Sequence, residues 1–300
     1  MSGPFIAVDW GTTRLRAWLV AADGEVLASN ASGSGVQSVA PGGFPDALRA
    51  CCEPWLAAHP GIPVLMAGMV GSRNGWVEAP YARTPCGLPE LAAACHTMEL
   101  DGHPVSLVPG VDTRWPGAGG EAGAYDVMRG EETQVIGLGL EDGLVCLPGT
   151  HSKWVRVAGG RITGFATFIT GELYAAMTAS FIGRLAAEPE QLQPATRMAQ
   201  AAASWPGGLS RALFQARSRV LCGDMPGAGV KPFLSALLVA DEVDGALALF
   251  PGCGSVHLLP GSSQLQVYQA AMHGRGLQVH LIDPEPTFIS GLRRIAGLMA

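Results

Sequence analysis

At 300 residues the chain is long enough for about two domains of ordinary size. Hydrophobic residues make up 48% of it and charged residues 15%, which excludes global disorder, because a disordered chain lacks the apolar surface that offsets ordering entropy. The net charge of −6 supplies no basic face for a nucleic acid or an anionic membrane, so an anionic partner must be small and held by a local cluster of donors.

Glycine (41) and proline (22) together fall below the roughly 25–30% of low-complexity chains, so they are read as turns and as backbone that approaches a ligand. No apolar run reaches the ~18 residues of a transmembrane helix. The N-terminus has no basic flank followed by an apolar stretch, so no secretory leader is expected. Seven cysteines without a C-x-x-C pair argue against a disulfide framework or a zinc ribbon and for a reducing cytoplasm. The seven histidines show no metal-ligand spacing.

In chain order, residues 5–8 and 15–20 read as strands, Asp23-Gly24 as a hairpin turn and 26–29 as a third strand. The spacing of Leu48, Cys51, Cys52, Trp55 and Leu56 predicts a helix over 44–58, and strands follow at 64–69 and 105–108. A Gly/Pro-rich stretch at 109–123 separates this from a second cycle. That cycle has a helix at 131–140, a strand at 144–147 and a hairpin of 153–157 with 161–165. Helices follow at 171–187, 209–221 and 231–249. A strand at 256–259, a helix from 262, a strand at 278–282 and a helix from 286 complete the chain. Leu173, Met177, Phe181 and Leu185 form an apolar stripe expected in the core. The helix over 231–249 suits interlobe packing or a homodimer contact. Strand, hairpin and helices thus occur twice, which indicates an α/β layered architecture.

Two turns carry the chemistry. Asp9-Trp10-Gly11-Thr12-Thr13 follows the first strand: Asp9 at a strand end suits Mg²⁺, while Gly11, Thr12 and Thr13 offer a tight turn with hydroxyl and N–H donors for phosphate. Gly149-Thr150-His151-Ser152-Lys153 repeats that arrangement in the second cycle, with His151 and Lys153 as candidate positive charges. The two turns are expected to face each other across a cleft and clamp a triphosphate. A later loop, Pro260-Gly261-Ser262, could pack on a purine ring or cap the following helix.

These three elements resemble the phosphate and adenosine motifs of the actin/hexokinase/Hsp70 ATPase superfamily. Longer strings are more specific: Met66-Ala67-Gly68-Met69-Val70-Gly71-Ser72-Arg73-Asn74-Gly75-Trp76, Glu78-Ala79-Pro80-Tyr81, Asp126 through Gln134, and Leu147 through Trp154. Together they resemble the 2-dehydro-3-deoxygalactonokinase family of sugar-acid kinases. The resemblance implies two ribonuclease-H-like lobes with a cleft between them, divided as residues 1–110 and 111–300, the last helix returning to the first lobe. It also implies ATP- and Mg²⁺-dependent phosphorylation of the terminal hydroxyl of 2-dehydro-3-deoxygalactonate. A related acid such as 2-dehydro-3-deoxygluconate, or a sensor without catalysis, is the alternative.

For the base that accepts the hydroxyl proton, related sugar kinases use an Asp following a Gly ahead of the second phosphate turn. The matching place here is Gly130-Glu131-Glu132, and Glu131 is preferred over Glu132, with Asp126 one helical turn upstream as a third choice. Glu131 and Glu132 point in different directions on a helix and cannot serve one hydroxyl together. Glu132 could instead pair with Arg129. The substrate carboxylate calls for Arg73 or Arg129, which can grip it with two hydrogen bonds. Ser72 and Asn74 would read hydroxyls, and Trp76 and Tyr81 would wall the pocket. Proline before Gly261 departs from the hydrophobic residue usual in the family and removes a backbone N–H.

Overall fold

The alternation of apolar residues along the first strand fixes the layers of the first half. In strand β1 (Phe5–Trp10) every residue but Asp9 is buried, as a strand covered on both faces requires. Ile6, Val8 and Trp10 face one core, shared with Leu48, Cys51 and Cys52 of helix α1 (Phe44–Ala58). Phe5 and Ala7 face the other, shared with Phe288, Leu292 and Ile295 of helix α8 (Pro284–Met299). The computed structural model describes residues 3–116, 123–188, 197, 207–261 and 264–299.

Strands β2 (Leu15–Val20), β3 (Val26–Ser32), β4 (Val64–Ala67), β6 (His96–Leu100) and β7 (His103–Leu107) join β1 in a sheet of order β3-β2-β1-β4-β7-β6. Strand β1 runs antiparallel to β2 and parallel to β4. A smaller sheet of order β5-β8-β9 is formed by β5 (Tyr81–Arg83), β8 (Gly110–Arg114) and β9 (Tyr125–Met128). Helix α2 is Leu88–Ala93 and α3 is Glu131–Leu138.

A second large sheet has the order β12-β11-β10-β13-β14. Its strands are β10 (Gly143–Leu147), β11 (Ser152–Ala158), β12 (Arg161–Phe168), β13 (Ser255–Leu258) and β14 (Gln278–Leu281). Numbered within its own cycle, each large sheet begins third-second-first-fourth. Helices α4 (Thr170–Ala179), α5 (Gly208–Leu221), α6 (Val230–Leu249) and α7 (Leu265–His273) accompany the second sheet. Phe233, Leu234 and Leu237 of α6 pack with Ala212 and Ala216 of α5.

The chain divides into two units: Met1–Asp142 with Val155–Phe165 and Asp283–Ala300, and Gly143–Trp154 with Ala166–Ile282. The expected division at residue 110 falls inside the first unit, at the start of β8, and α8 belongs to that unit.

The structure departs from the sequence expectations at several points. Strand β4 ends at Ala67 rather than 69, because Gly68 takes φ +102 and a 3-10 turn follows. Elements β5, α2, β6, β8 and β9 went unread, being three to six residues long and too short to display a period. Asp126 lies on strand β9, not one helical turn before Glu131. Helix α4 ends at Ala179, and Phe181 is 60% exposed under the Arg217 guanidinium, 4.2 Å from its ring centroid, instead of in the core.

Helices α3 and α8 make their closest approach at two glycines. A Cβ at Gly137 would lie 1.8 Å from the Thr287 carbonyl oxygen, and one at Gly291 would lie 1.9 Å from that of Thr133. Gly137→Ala should therefore lower stability by about 2 kcal/mol or more, the order found for overpacking. Thermal unfolding should register this as a drop of about 4–8 °C; an unchanged melting temperature would show that the helices part at no cost.

Candidate active site

Gly68 (φ +102) ends β4 and Gly130 (φ +108) precedes α3, both in the left-handed region that favours glycine. A Cβ on Gly130 would stand 3.2 Å from the Gly68 Cα, and one on Gly68 would stand 2.8 Å from the Trp10 carbonyl oxygen. The ends of β1 and β4 and the start of α3 are thereby brought together. A cavity of about 200 Å³ opens there, lined among others by Asp9, Gly11, Thr12, Arg129 and Glu131.

Asp9 forms an ion pair with Arg16, its cross-strand partner on β2. Burial raises the Asp9 pKa, Arg16 works against that rise, and the Glu131 carboxylate adds to it. The turn beyond Asp9 is closed by Gly11 N–H donating to the Arg14 carbonyl at 2.9 Å, with Thr12 and Thr13 exposed. The Glu131 carboxylate accepts from the Arg129 backbone N–H at 3.0 Å. Arg129 is 9% exposed; its Nη2 donates to the Ala79 carbonyl at 2.8 Å, and its guanidinium lies 4.4 Å over the Tyr81 ring centroid. Its Nε and Nη1 are buried with no hydrogen-bond partner. An orphaned buried guanidinium is costly unless an anion completes it.

Glu132, the neighbour of Glu131, does not line the cavity. It is fully buried and accepts from the Gly130 backbone N–H and from the Thr133 hydroxyl, not from Arg129. Burial, reinforced by the Glu131 charge, pushes its pKa up to about 8. Because folding favours the protonated form, its contribution to stability is greatest below the ordinary value of 4.5 and is lost as pH rises toward about 8. Glu132→Gln, which mimics the protonated acid, should raise the melting temperature at pH 8 and flatten its dependence between pH 5 and 8. Parallel profiles for the variant and the wild type would contradict this. Asp126 also stands outside the cavity, accepting from the Trp115 indole N–H at 2.9 Å.

The loop after Gly68 is only partly assembled with these groups. The buried Ser72 hydroxyl oxygen has no partner, whereas Arg73 and Asn74 are exposed, and Arg73 pairs with Glu78 at 3.7 Å. Trp76 packs edge-on against Trp10 in the core, centroids 6.4 Å apart, and is a structural anchor and not a pocket wall.

In the second unit a cavity of about 790 Å³ is lined by Gly149, Thr150, Thr170, Tyr174, Lys231, Ser235, Gln264 and Tyr268, among others. The Gly149-Thr150 turn is tied to α4 by the Glu172 N–H donating to the Thr150 carbonyl at 3.0 Å. His151 and Lys153 do not line this cavity. His151 pairs with Glu172 at 2.5 Å, and Lys153 donates to the His151 carbonyl at 3.0 Å. Gly261 is exposed, with its carbonyl accepting from the Gln264 N–H at 3.1 Å; Ser262 lies outside the described residues. Sequence reasoning missed Tyr174, Lys231, Ser235, Gln264 and Tyr268, which sit within or beside helices whose periodicity reports only packing. Thr170, which also lines this cavity, is the first residue of α4.

Among the described residues no group of three or more His, Cys, Asp or Glu side chains could hold a metal ion, and no helix is long and apolar enough to cross a membrane. Asp9 with Glu131 does offer hard oxygen donors, and Mg²⁺ needs only one or two carboxylates beside water and phosphate oxygens.

The repeated sheet order, with a Gly- and Thr-bearing turn after the first strand of each cycle, is that of the actin/hexokinase/Hsp70 ATPase fold, built from two ribonuclease-H-like α/β units. The activator of the 2-hydroxyisocaproyl-CoA dehydratase from Clostridium difficile has the same fold, with a TM-score of 0.53 at 11% identity over 98% of this chain and 95% of that one. Residues 9–295 match the family described as 2-keto-3-deoxy-galactonokinase, and the chain belongs to that family of carbohydrate kinases. It is 36% identical over 315 residues to the "probable 2-dehydro-3-deoxygalactonokinase" of Rhizobium meliloti (strain 1021), covering 98% of this chain and 97% of that protein. It is 33% identical to the 2-dehydro-3-deoxygalactonokinase of Escherichia coli (strain K12) over the whole of both chains. A crystal structure from Sinorhizobium meliloti, of a protein named for the same activity, superposes with a TM-score of 0.88 at 33% identity over 97% of this chain and 98% of that one.

Proposed function

We propose that this kinase transfers the γ-phosphoryl group of ATP to the terminal 6-hydroxyl of 2-dehydro-3-deoxy-D-galactonate, a step of galactonate catabolism. The observation that carries the reading is the first unit's cavity, lined by the Glu131 carboxylate and by Arg129, two of whose buried guanidinium nitrogens have no hydrogen-bond partner. A sugar acid needs both: a cation for its carboxylate and a base for its hydroxyl.

Glu131 is the base. It opens α3 and lines the cavity, whereas Glu132 is fully buried and neither it nor Asp126 lines that space. Arg129 binds the substrate carboxylate through Nε and Nη1, and the Ser72 hydroxyl, also without a partner, adds a donor nearby. Tyr81 holds the guanidinium flat from below. With Gly11 closing the turn, the exposed Thr12 and Thr13 offer donors to phosphate oxygens in the first unit, and Gly149 and Thr150 do so in the second. The 790 Å³ cavity is wide enough for the nucleoside, with Gly261 at its approach beside Gln264. Asp9 would hold Mg²⁺, which when bound neutralises developing charge on the phosphates. All seven cysteines are free thiols, as a cytoplasmic enzyme would keep them.

ADP formation should depend on 2-dehydro-3-deoxygalactonate and on Mg²⁺; equal turnover without any sugar acid would overturn the reading. Glu131→Gln should lower kcat by about 10²–10³-fold, the contribution of a positioned base, with little change in either KM. Arg129→Met should raise the sugar-acid KM by about 10–100-fold, as loss of a charged hydrogen-bonding partner does, and leave the KM for ATP in place.

A further inference from the structure

Beside the larger cavity lies a buried carboxylate that the proposed mechanism does not use. Glu242, on α6, is 1% exposed. Leu238 and Val239, four and three residues earlier on the same helix, line the cavity, so Glu242 continues the face that forms its wall. Its Oε1 accepts from the Trp154 indole N–H at 2.8 Å, and its Oε2 accepts from the Tyr268 hydroxyl at 2.7 Å. The Tyr268 hydroxyl is in turn 2.9 Å from the Ser152 Oγ, and the Thr170 hydroxyl is a further donor to the carboxylate.

The partners come from three elements. Trp154 and Ser152 lie on β11, directly after the Gly149-Thr150 turn; Thr170 opens α4; Tyr268 lies on α7. Tyr268 and Thr170 themselves line the cavity. Burial raises the Glu242 pKa, and the hydrogen bonds from Thr170, Trp154 and Tyr268 oppose that rise. Desolvating a carboxylate is costly, so bare stability would be served as well by an apolar residue of similar size. Several directed donors do what apolar packing cannot: they fix the rotation and separation of the elements they come from.

We propose that Glu242 is a positioning residue for the nucleotide, the common acceptor that holds Tyr268, Thr170 and the start of β11 in the arrangement that shapes the cavity and its phosphate turn. The proposal rests on reading this cavity as the nucleotide site.

The test uses the full-length enzyme and the variants Glu242→Gln and Tyr268→Phe, with ADP binding followed by calorimetry, KM measured for both substrates, and thermal unfolding. Both variants should weaken ADP binding and raise the KM for ATP by about fivefold or more, the effect of losing one directed hydrogen bond. The KM for the sugar acid should stay within twofold of wild type. A lowered melting temperature with unchanged ADP affinity in both variants would make the network merely structural and overturn the inference. Wild-type enzyme that fails to bind ADP would instead overturn the reading of the cavity. If Glu242→Gln does not fold, Tyr268→Phe and Ser152→Ala decide the question by the same readouts.

Discussion

Gly68 and Gly130 touch backbone to backbone, and the first unit's site is a consequence of that contact. It sets the C-terminal ends of the parallel strands β1 and β4 against the N-terminus of α3. Ligands of α/β proteins gather at such strand ends, where side chains from successive strands converge beyond the sheet. Asp9 arrives there as the one residue of β1 not wholly buried, and Glu131 as the first residue of α3. A Cβ on either glycine would have to push these elements apart, taking the two carboxylates with them.

The adjacent glutamates show how one helical step separates two roles. Both stand in the first turn of α3, where the helix dipole favours negative charge. Glu131 faces the cavity, while Glu132 turns inward to hold the Gly130 N–H, so that it braces the very glycine on which the close approach depends. The Arg129 guanidinium is held in a similar way, by the Ala79 carbonyl and the Tyr81 ring, and two of its nitrogens are buried without a hydrogen-bond partner. Rigid support on one side and unmet hydrogen bonding on the other are what a preorganised anion site requires.

The second unit solves its problem with helices. Its cavity is walled by α4, α6 and α7, and its polar order comes from a carboxylate sunk behind the wall. Helix α6 carries Glu242 among its buried apolar residues, beside Leu238, Val239 and Val243. Such a residue is tolerated only where donors from several elements meet it.

The longer strands and the two hairpins that open the cycles were legible in the chain because apolar alternation and Gly-bearing turns are local signals; β1, β2, α1 and the two threonine turns all lie where their patterns put them. The family's motifs placed Arg129 just before α3 and Glu131 at its start, where both line the first unit's cavity. The split between Glu131 and Glu132, the Arg16 partner of Asp9 and the loss of Trp76 to the core were decided elsewhere. So was the assembly of Tyr268, Ser152 and Trp154 around Glu242. Each depends on residues distant in the chain and on which face of an element is covered. Periodicity records that a face is apolar, but the neighbour that covers it, and the polar atoms that neighbour brings, are set only when the layers pack.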